Sequence, residues 1–452
     1  MVNVIKLHKG LDIRLKGAAE DSTFSAGTVS HYALQPGSFV GLTPKVVVKV
    51  GDKVLAGDPL FVNKQCPEVR FASPVSGTVT AVVRGDRRKV LAVEIDADAE
   101  QKYHDFGKSD PAGLDAEGVK KVLLESGLFG FINQLPYAVS TTPDTAPKAI
   151  FVSALRDMPL SADFEMELKE PSAASDFQCG LTALSRIAPV HLGVGRHQQA
   201  DALLNASDVD INVFDGPCPA GNVGVQVNNI DPVNKGEVVW TVDPTAVIFF
   251  GHLFNTGNVD MTRTIAVAGS EMKQTGYARV KVGAKICEVL GDNVKTDRHV
   301  RLLDGNPLTG CKTTADGYLG AHTSEITAIP EGDDVNEFAG WIMPRLKDFS
   351  TSHSYFSWLF GRSRKYDLDA RIKGGERHMI MSGEYDRVLP MDIYGEYLIK
   401  AIITGDIDKQ EQLGIYEVSP EDFALAEFVD SSKLPLQQIV RQGLDTLRKE
   451  NA

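Results

Sequence analysis

Residues 40–80 read VGLTPKVVVKVGDKVLAGDPLFVNKQCPEVRFASPVSGTVT, and no other stretch limits the fold so tightly. Gly51-Asp52 and Gly57-Asp58 punctuate two short β-rich runs, 45–50 and 59–62. A third run covers 69–72, and Pro74-Val75-Ser76-Gly77 turns the chain into a fourth at 78–83. Gly and Asp supply turn conformations that other residues resist, while Val-rich runs suit a half-buried pleat. A compact module of short strands is therefore expected, with a hairpin tip near Cys66-Pro67-Glu68.

A chain of 452 residues is too long for one core, so three or four domains are expected. No run approaches the roughly 20 apolar residues that cross a bilayer. The best, 245–254, is short and contains His252. The opening MVNVIKLHKGLDIRLKG lacks an apolar core and a cleavage site, so no secretory signal is expected. Five cysteines (Cys66, Cys179, Cys218, Cys287, Cys311) form no CxxC pair. That set argues for a reduced, cytosolic protein and against a disulfide framework, a zinc site or an iron–sulfur site. A net charge of −13 argues against a nucleic-acid partner. It suits either plain solubility or the Lys/Arg-rich cytoplasmic loops of a membrane protein.

After a polar boundary at 100–109, residues 116–126 have helical periodicity (Val119, Val122, Leu123) and end at Gly127. Buried strands are expected at 149–152, 189–192, 209–214, 238–242 and 246–250, with helices at 179–187 and 196–205. That alternation over 108–251 implies a layered α/β domain with a largely parallel sheet. From 264 the pattern becomes short strands with Gly turns, ending near Asp334. A polar, aromatic-spotted loop fills 345–380. Helices close the chain at 391–403, from Ser419-Pro420-Glu421-Asp422, and at 436–447, where Ile439, Val440, Leu444 and Leu447 share a face.

No constellation identifies an active site. HLGVGRH (191–197) offers Gly193 and Gly195 after a strand, but a dinucleotide fingerprint needs a third Gly where Gln198 stands. A plain strand-to-helix turn is the better reading. Asp157, Asp163, Glu165 and Glu167 suggest paired carboxylates, yet without a neighbouring His they fit a solvated acidic loop. Cys218 sits between Pro217 and Pro219 without a visible activating partner.

The N-terminal pattern resembles a barrel-sandwich hybrid, the architecture of biotinyl and lipoyl carrier domains. Carriers present a modifiable Lys between Met-like neighbours at the hairpin tip; here Lys64 has no Met beside it. Further blocks at 218–240, 248–269, 308–320, 331–350 and 387–406 together resemble the A-subunit family of the sodium-translocating NADH:quinone oxidoreductases (Na+-NQR), along nearly the whole chain. The C subunit of the Rnf complex and the NADH-binding subunit of complex I are more distantly similar. The resemblance implies multidomain α/β and α+β architecture: a barrel-sandwich hybrid (1–104), a Rossmann-like domain (105–255) and a β-grasp, SLBB-like module (256–335). A connecting loop (336–384) and a C-terminal helical region (385–452) would follow.

Two departures from those relatives qualify the function it implies. The Gly-rich flavin loop of the relatives is replaced by SGLFGFINQLPYA (126–138), and no Cys follows Cys311 to hold a cluster. The resemblance thus implies a peripheral subunit on the cytoplasmic face of a bacterial inner membrane, with no catalytic, cofactor or metal residues of its own. Five other subunits, chiefly the membrane-embedded B subunit, are the expected partners. NADH, flavins, Fe–S clusters and quinone would be handled through those subunits. Phe129, Phe131 and Tyr137 stand where the flavin loop would be. They suit either a quinone slot or core packing of a vacated pocket.

Overall fold

The computed structural model describes residues 3–24, 26–333, 345–353, 355–361 and 363–451. The expected break at 335–336, and part of the resembling block at 331–350, lie outside them. The N-terminal hairpins form as expected. Strands His31–Leu34, Val90–Ala97, Gly77–Arg84 and Lys53–Val54 make one antiparallel sheet, and Pro44–Val46, Pro59–Asn63 and Arg70–Ala72 make a second. Lys64 is exposed at the hairpin tip, while Cys66 beside it is half-buried.

The α/β unit carries a seven-stranded sheet. Four of its strands follow the expected alternation: Ile150–Ser153, Val190–Gly195, Asp210–Asp215 and Val239–Val242, all parallel. Ile132–Leu135 and Val139–Ser140 extend it as an antiparallel edge hairpin. The opposite edge is Asn3–Lys6, parallel to Asp210–Asp215, so the first residues of the chain belong to this sheet and not to the N-terminal module. From there the chain runs past the C-terminal helices, where Leu7 and Ile13 are buried. It then adds Thr23–Phe24 to the edge of a third sheet before entering its own module.

Two sequence expectations fail in this unit. Residues 246–250 are not a strand but the middle of helix Pro244–Thr256, which is buried along nearly its whole length. An all-apolar run reads the same in a buried strand and a buried helix. Asp243 accepting from Thr245 N, Pro244 in the first turn and Gly257 at the left-handed end decide for helix. The helix expected at 196–205 shrinks to Asp201–Leu204. There the Gln198 side chain accepts from Gly195 N (2.8 Å) and donates to Ala154 O (2.9 Å), holding the segment as a loop across the sheet end.

The third sheet joins Cys311–Thr313, Val300–Asp304, Glu325–Pro330, Thr262–Ala268 and Gly276–Lys281 in that order. Thr262–Ala268 and Glu325–Pro330, the first and last of these along the chain, are central and parallel, and helix Ile286–Leu290 follows the first hairpin. The C-terminal region holds Gly395–Thr404, a capped turn at Ser419, Ala424–Val429 and Leu436–Glu450. The last helix buries Val440, Leu444 and Leu447 of the expected apolar face together with Leu436, while Ile439 of that face is half-buried.

One hydrophobic core runs through the first three units. Its centre is aromatic: Phe39 of the N-terminal module lies 4.4 Å from Phe71 and 5.4 Å from Phe131 of the α/β unit. Phe131 in turn lies 5.9 Å from Phe249 and 5.5 Å from His322 of the third unit, largely edge-on. Phe131→Ala should therefore lose about 3–5 kcal/mol, whereas Phe131→Leu should retain most of it; urea unfolding of the two variants checks this.

Candidate functional site

In an open α/β sheet the ligand crevice opens at the strand carboxyl ends where strand order reverses. Here that point lies between Ile150–Ser153 and Val239–Val242, since the later strands 190–195 and 210–215 lie to one side and 239–242 to the other. The residues leaving these two strands are Arg156 and Asp243, and they meet. Arg156 Nη2 donates to both Asp243 carboxylate oxygens, at 3.2 and 3.3 Å, and to Thr245 Oγ1 at 3.0 Å. Thr245 Oγ1 donates to Glu167 Oε2 at 2.6 Å, and Glu167 Oε1 accepts from Thr264 N at 3.1 Å. The third unit supplies Arg263, whose Nη1 donates to Ala321 O (3.1 Å) and whose Nη2 reaches Ser324 Oγ (3.4 Å). Glu325 accepts from Ala162 N at 3.1 Å. Docking of the third sheet thus fills the crevice with side chains.

The charges in this cluster are set by burial against mutual attraction. Burial opposes the charge of Arg156, but Asp243, Glu167 and Glu325 more than compensate, and its affinity for its proton rises. For Arg263, burial prevails and lowers it. Burial works against ionised Asp243, yet Arg156 and Arg263 bring its carboxyl below the ordinary range. Burial raises Glu167 and Glu325 despite the same two arginines. It pushes the His322 imidazole down to about 4, with Asp243 opposing and Arg263 adding to the effect. Arg156 Nη1, Arg263 Nε and His322 Nε2 have no hydrogen-bond partner among the described residues.

Phosphate groups bind such folds at helix N-termini, where N–H donors and the dipole favour an anion. Both helices that begin at this crevice already hold one. Asp243 caps Pro244–Thr256. Asp422, from the C-terminal region, lies over the start of Val223–Ile230. A Cβ on Gly224 would stand 2.3 Å from its Oδ2, and Asn222 Nδ2 donates to its Oδ1 at 3.4 Å. Asp422 also accepts from Ser419 N and Oγ, both at 2.8 Å. Two carboxylates at those positions repel a dinucleotide phosphate, so this donor set does not fit one.

The sequence candidates are scattered by the fold. Phe129 and Phe131 are buried core residues, Phe129 edge-on to Trp240 at 5.6 Å. Tyr137 lies apart from them, in a turn held by Arg441 of the last helix, whose Nη2 donates to Tyr137 O at 2.7 Å. The three rings therefore line no common slot. Gly193 gives room to a protein side chain, the Gln226 amide, which a Cβ there would meet at 1.9 Å. The acidic stretch is not a solvated loop. Glu167 is buried, and Asp157 accepts from Gly221 N (3.0 Å) in surroundings that push its carboxyl up to about 6. Asp163 and Glu165 do cap backbone: Asp163 accepts from Glu165 N (3.0 Å), and Glu165 accepts from Gln199 N (2.6 Å) and Ala200 N. Cys218 is buried, and burial beside Asp157 and Asp12 raises its thiol, the opposite of activation. Sequence reasoning missed Arg156, Asp243, Arg263 and Glu325. The Asp243-Pro244 pair was a readable helix start, but nothing local links Arg263 or Glu325 to it.

The fold and this filled crevice define a multidomain protein: an all-β module, an α/β sheet whose crevice is occupied by its own side chains, and a small mixed sheet docked on it. Family models match in the same order, as the NqrA N-terminal barrel-sandwich hybrid domain over 5–98, the NqrA second alpha/beta domain over 114–259 and the NQRA C-terminal domain over 264–315. A relative from Neisseria meningitidis serogroup B is 33% identical over 452 residues, covering 99% of this chain and 100% of its own. Another from Rhodopirellula baltica is 33% identical, covering 99% of each chain. Both are named as the A subunit of the Na(+)-translocating NADH-quinone reductase. The chain belongs to that family, NqrA. Among solved structures, an NAD+-reducing NiFe hydrogenase in the air-oxidized state matches 68% of this chain and 55% of its own at 11% identity, but its TM-score of 0.32 is too slight to argue from.

Removing one member of the buried cluster strands the others. Asp243→Asn should lose about 3–5 kcal/mol, because it leaves Arg156 unpaired in the crevice. Adding Arg156→Met should recover part of that loss, which a double-mutant cycle in urea measures. His322 governs the acid side. The unfolded imidazole takes its proton near 6.5 and the folded one only near 4, so the unfolded state binds more protons in between. Stability is full above about pH 6.5 and falls as pH drops toward 4, by up to about 3 kcal/mol. Urea midpoints at pH 7.5 and 5 should show a smaller difference in His322→Asn than in the wild type.

Proposed function

We propose that this chain serves as the A subunit of a sodium-translocating NADH:quinone reductase, held peripherally on the cytoplasmic face of the membrane. In this reading its second domain is Rossmann-like and its third a β-grasp, and both act as docking scaffold rather than as cofactor sites. The chain works at the quinone-reducing end, while NADH, flavin and iron–sulfur chemistry belongs to other subunits. The observation that carries the reading is the crevice: Arg156, Asp243, Thr245, Glu167 and Arg263 occupy its floor. Asp243 caps one of the two helix N-termini that a phosphate would need, and Asp422 lies over the other. The dispersed cysteines support it too, since Cys311 is the last in the sequence and no thiolate cluster can follow. No helix among the described residues is long and apolar enough to cross a membrane, consistent with a subunit that docks rather than spans.

The purified chain should be colourless, without flavin absorbance or iron, and should not oxidise NADH with an artificial acceptor. Stoichiometric flavin surviving gel filtration would sink the reading. Tagged in its native host, the chain should bring down five further subunits, several membrane-embedded. Elution alone, under detergent conditions that preserve other complexes, would count against assembly.

A further inference from the structure

The turn Phe356–Phe360, in the loop between the third unit and the C-terminal helices, is the most apolar exposed segment of the chain among the described residues. Phe356 (57% exposed), Trp358 (45%), Leu359 (62%) and Phe360 (57%) all face solvent, and only Ser357 between them is buried. The fold leaves about half of each of these four large apolar side chains in water, and a water-facing cluster of this kind marks an interaction surface. Leu346 (44%) adds to the same loop.

The charge around the turn opposes that of the chain. Residues 345–365 contain five Arg or Lys and one Asp, a net of +4, in a protein of net charge −13. The single acid, Asp348, is taken by Arg345 at 2.9 Å. Lys347 before the turn and Lys365 after it are exposed, and neither has a carboxylate within ion-pair distance among the described residues. The Arg364 guanidinium lies over the Phe360 ring, 4.6 Å from its centroid, placing a cation beside the exposed aromatics. Trp358 is stacked on His353 at 5.2 Å, which orders the ring at the surface. Aromatic rings seated at headgroup level, bracketed by cations that meet anionic headgroups, are what an interfacial membrane contact requires.

We propose that Phe356–Phe360, with Lys347, Arg364 and Lys365, inserts shallowly into the anionic surface of a lipid bilayer and orients the chain upon it. This turn offers apolar side chains and cations, which a deformable anionic surface accommodates. The inference rests on the assembly reading only in placing the chain beside a bilayer.

The full chain, sedimented with vesicles of phosphatidylglycerol and phosphatidylethanolamine, should bind at least tenfold better than to phosphatidylcholine vesicles. That binding should weaken as salt is raised. Trp358→Ser with Leu359→Ser should lower it at least tenfold. Lys347→Gln with Lys365→Gln should lower it several-fold, with thermal midpoints little changed in both variants because these side chains are exposed. No preference for anionic vesicles, or variants that bind as well as the wild type, would overturn the proposal. So would variants that lose co-purifying subunits while vesicle binding is absent, since the turn is then a protein interface. Vesicle failure with intact co-purification overturns the lipid contact and leaves the assembly reading standing. Vesicle binding by a chain that co-purifies with nothing removes assembly and keeps the lipid contact.

Discussion

The ion pair between Arg156 and Asp243 is the contact on which the rest of this architecture depends. Two strands of an open sheet deliver opposite charges to the one place where such sheets bind ligands. Both charges are half-buried, Asp243 the more exposed, and each would be costly alone. The third unit completes the arrangement by bringing Arg263 and Glu325, so its docking and the filling of the crevice are one event. Burial raises the Glu167 and Glu325 carboxyls and lowers the His322 imidazole.

Around that polar plug, apolar packing joins the units into one body. Phe39, Phe131, Phe249 and His322 come from three units and meet edge-on, so no single unit completes its core alone. The first residues reinforce this by adding an edge strand to two different sheets before the N-terminal module begins. A carrier domain needs a swinging, independent module. Here the module's aromatic centre is buried against Phe131, which suits a fixed support and agrees with a hairpin-tip Lys64 lacking the expected neighbours.

The same physical chemistry bears on the crevice at the carboxyl ends of the α/β sheet. Helix N-termini attract anions whatever their origin. Once Asp243 and Asp422 occupy those positions, a phosphate meets repulsion where the fold would otherwise offer attraction.

Much of this is legible in the sequence because it is local. Gly-Asp turns at 51–52 and 57–58 set the β module, the alternation over 149–242 sets the parallel sheet, and Ser419-Pro420 and the 436–447 periodicity set the last helices. The run 246–250 misleads because an all-apolar stretch has no period, although the Asp243-Pro244 start and Gly257 stop beside it carry the helix signal. The roles of Glu167, Arg263, Glu325 and Asp422 are not legible at all. Each looks like an ordinary surface charge along the chain and becomes buried only when a distant element docks on it. Sequence alone determined most of the elements, their order and the family. Tertiary structure alone decided which charges lose water, because desolvation depends on what covers a side chain and not on its neighbours in sequence.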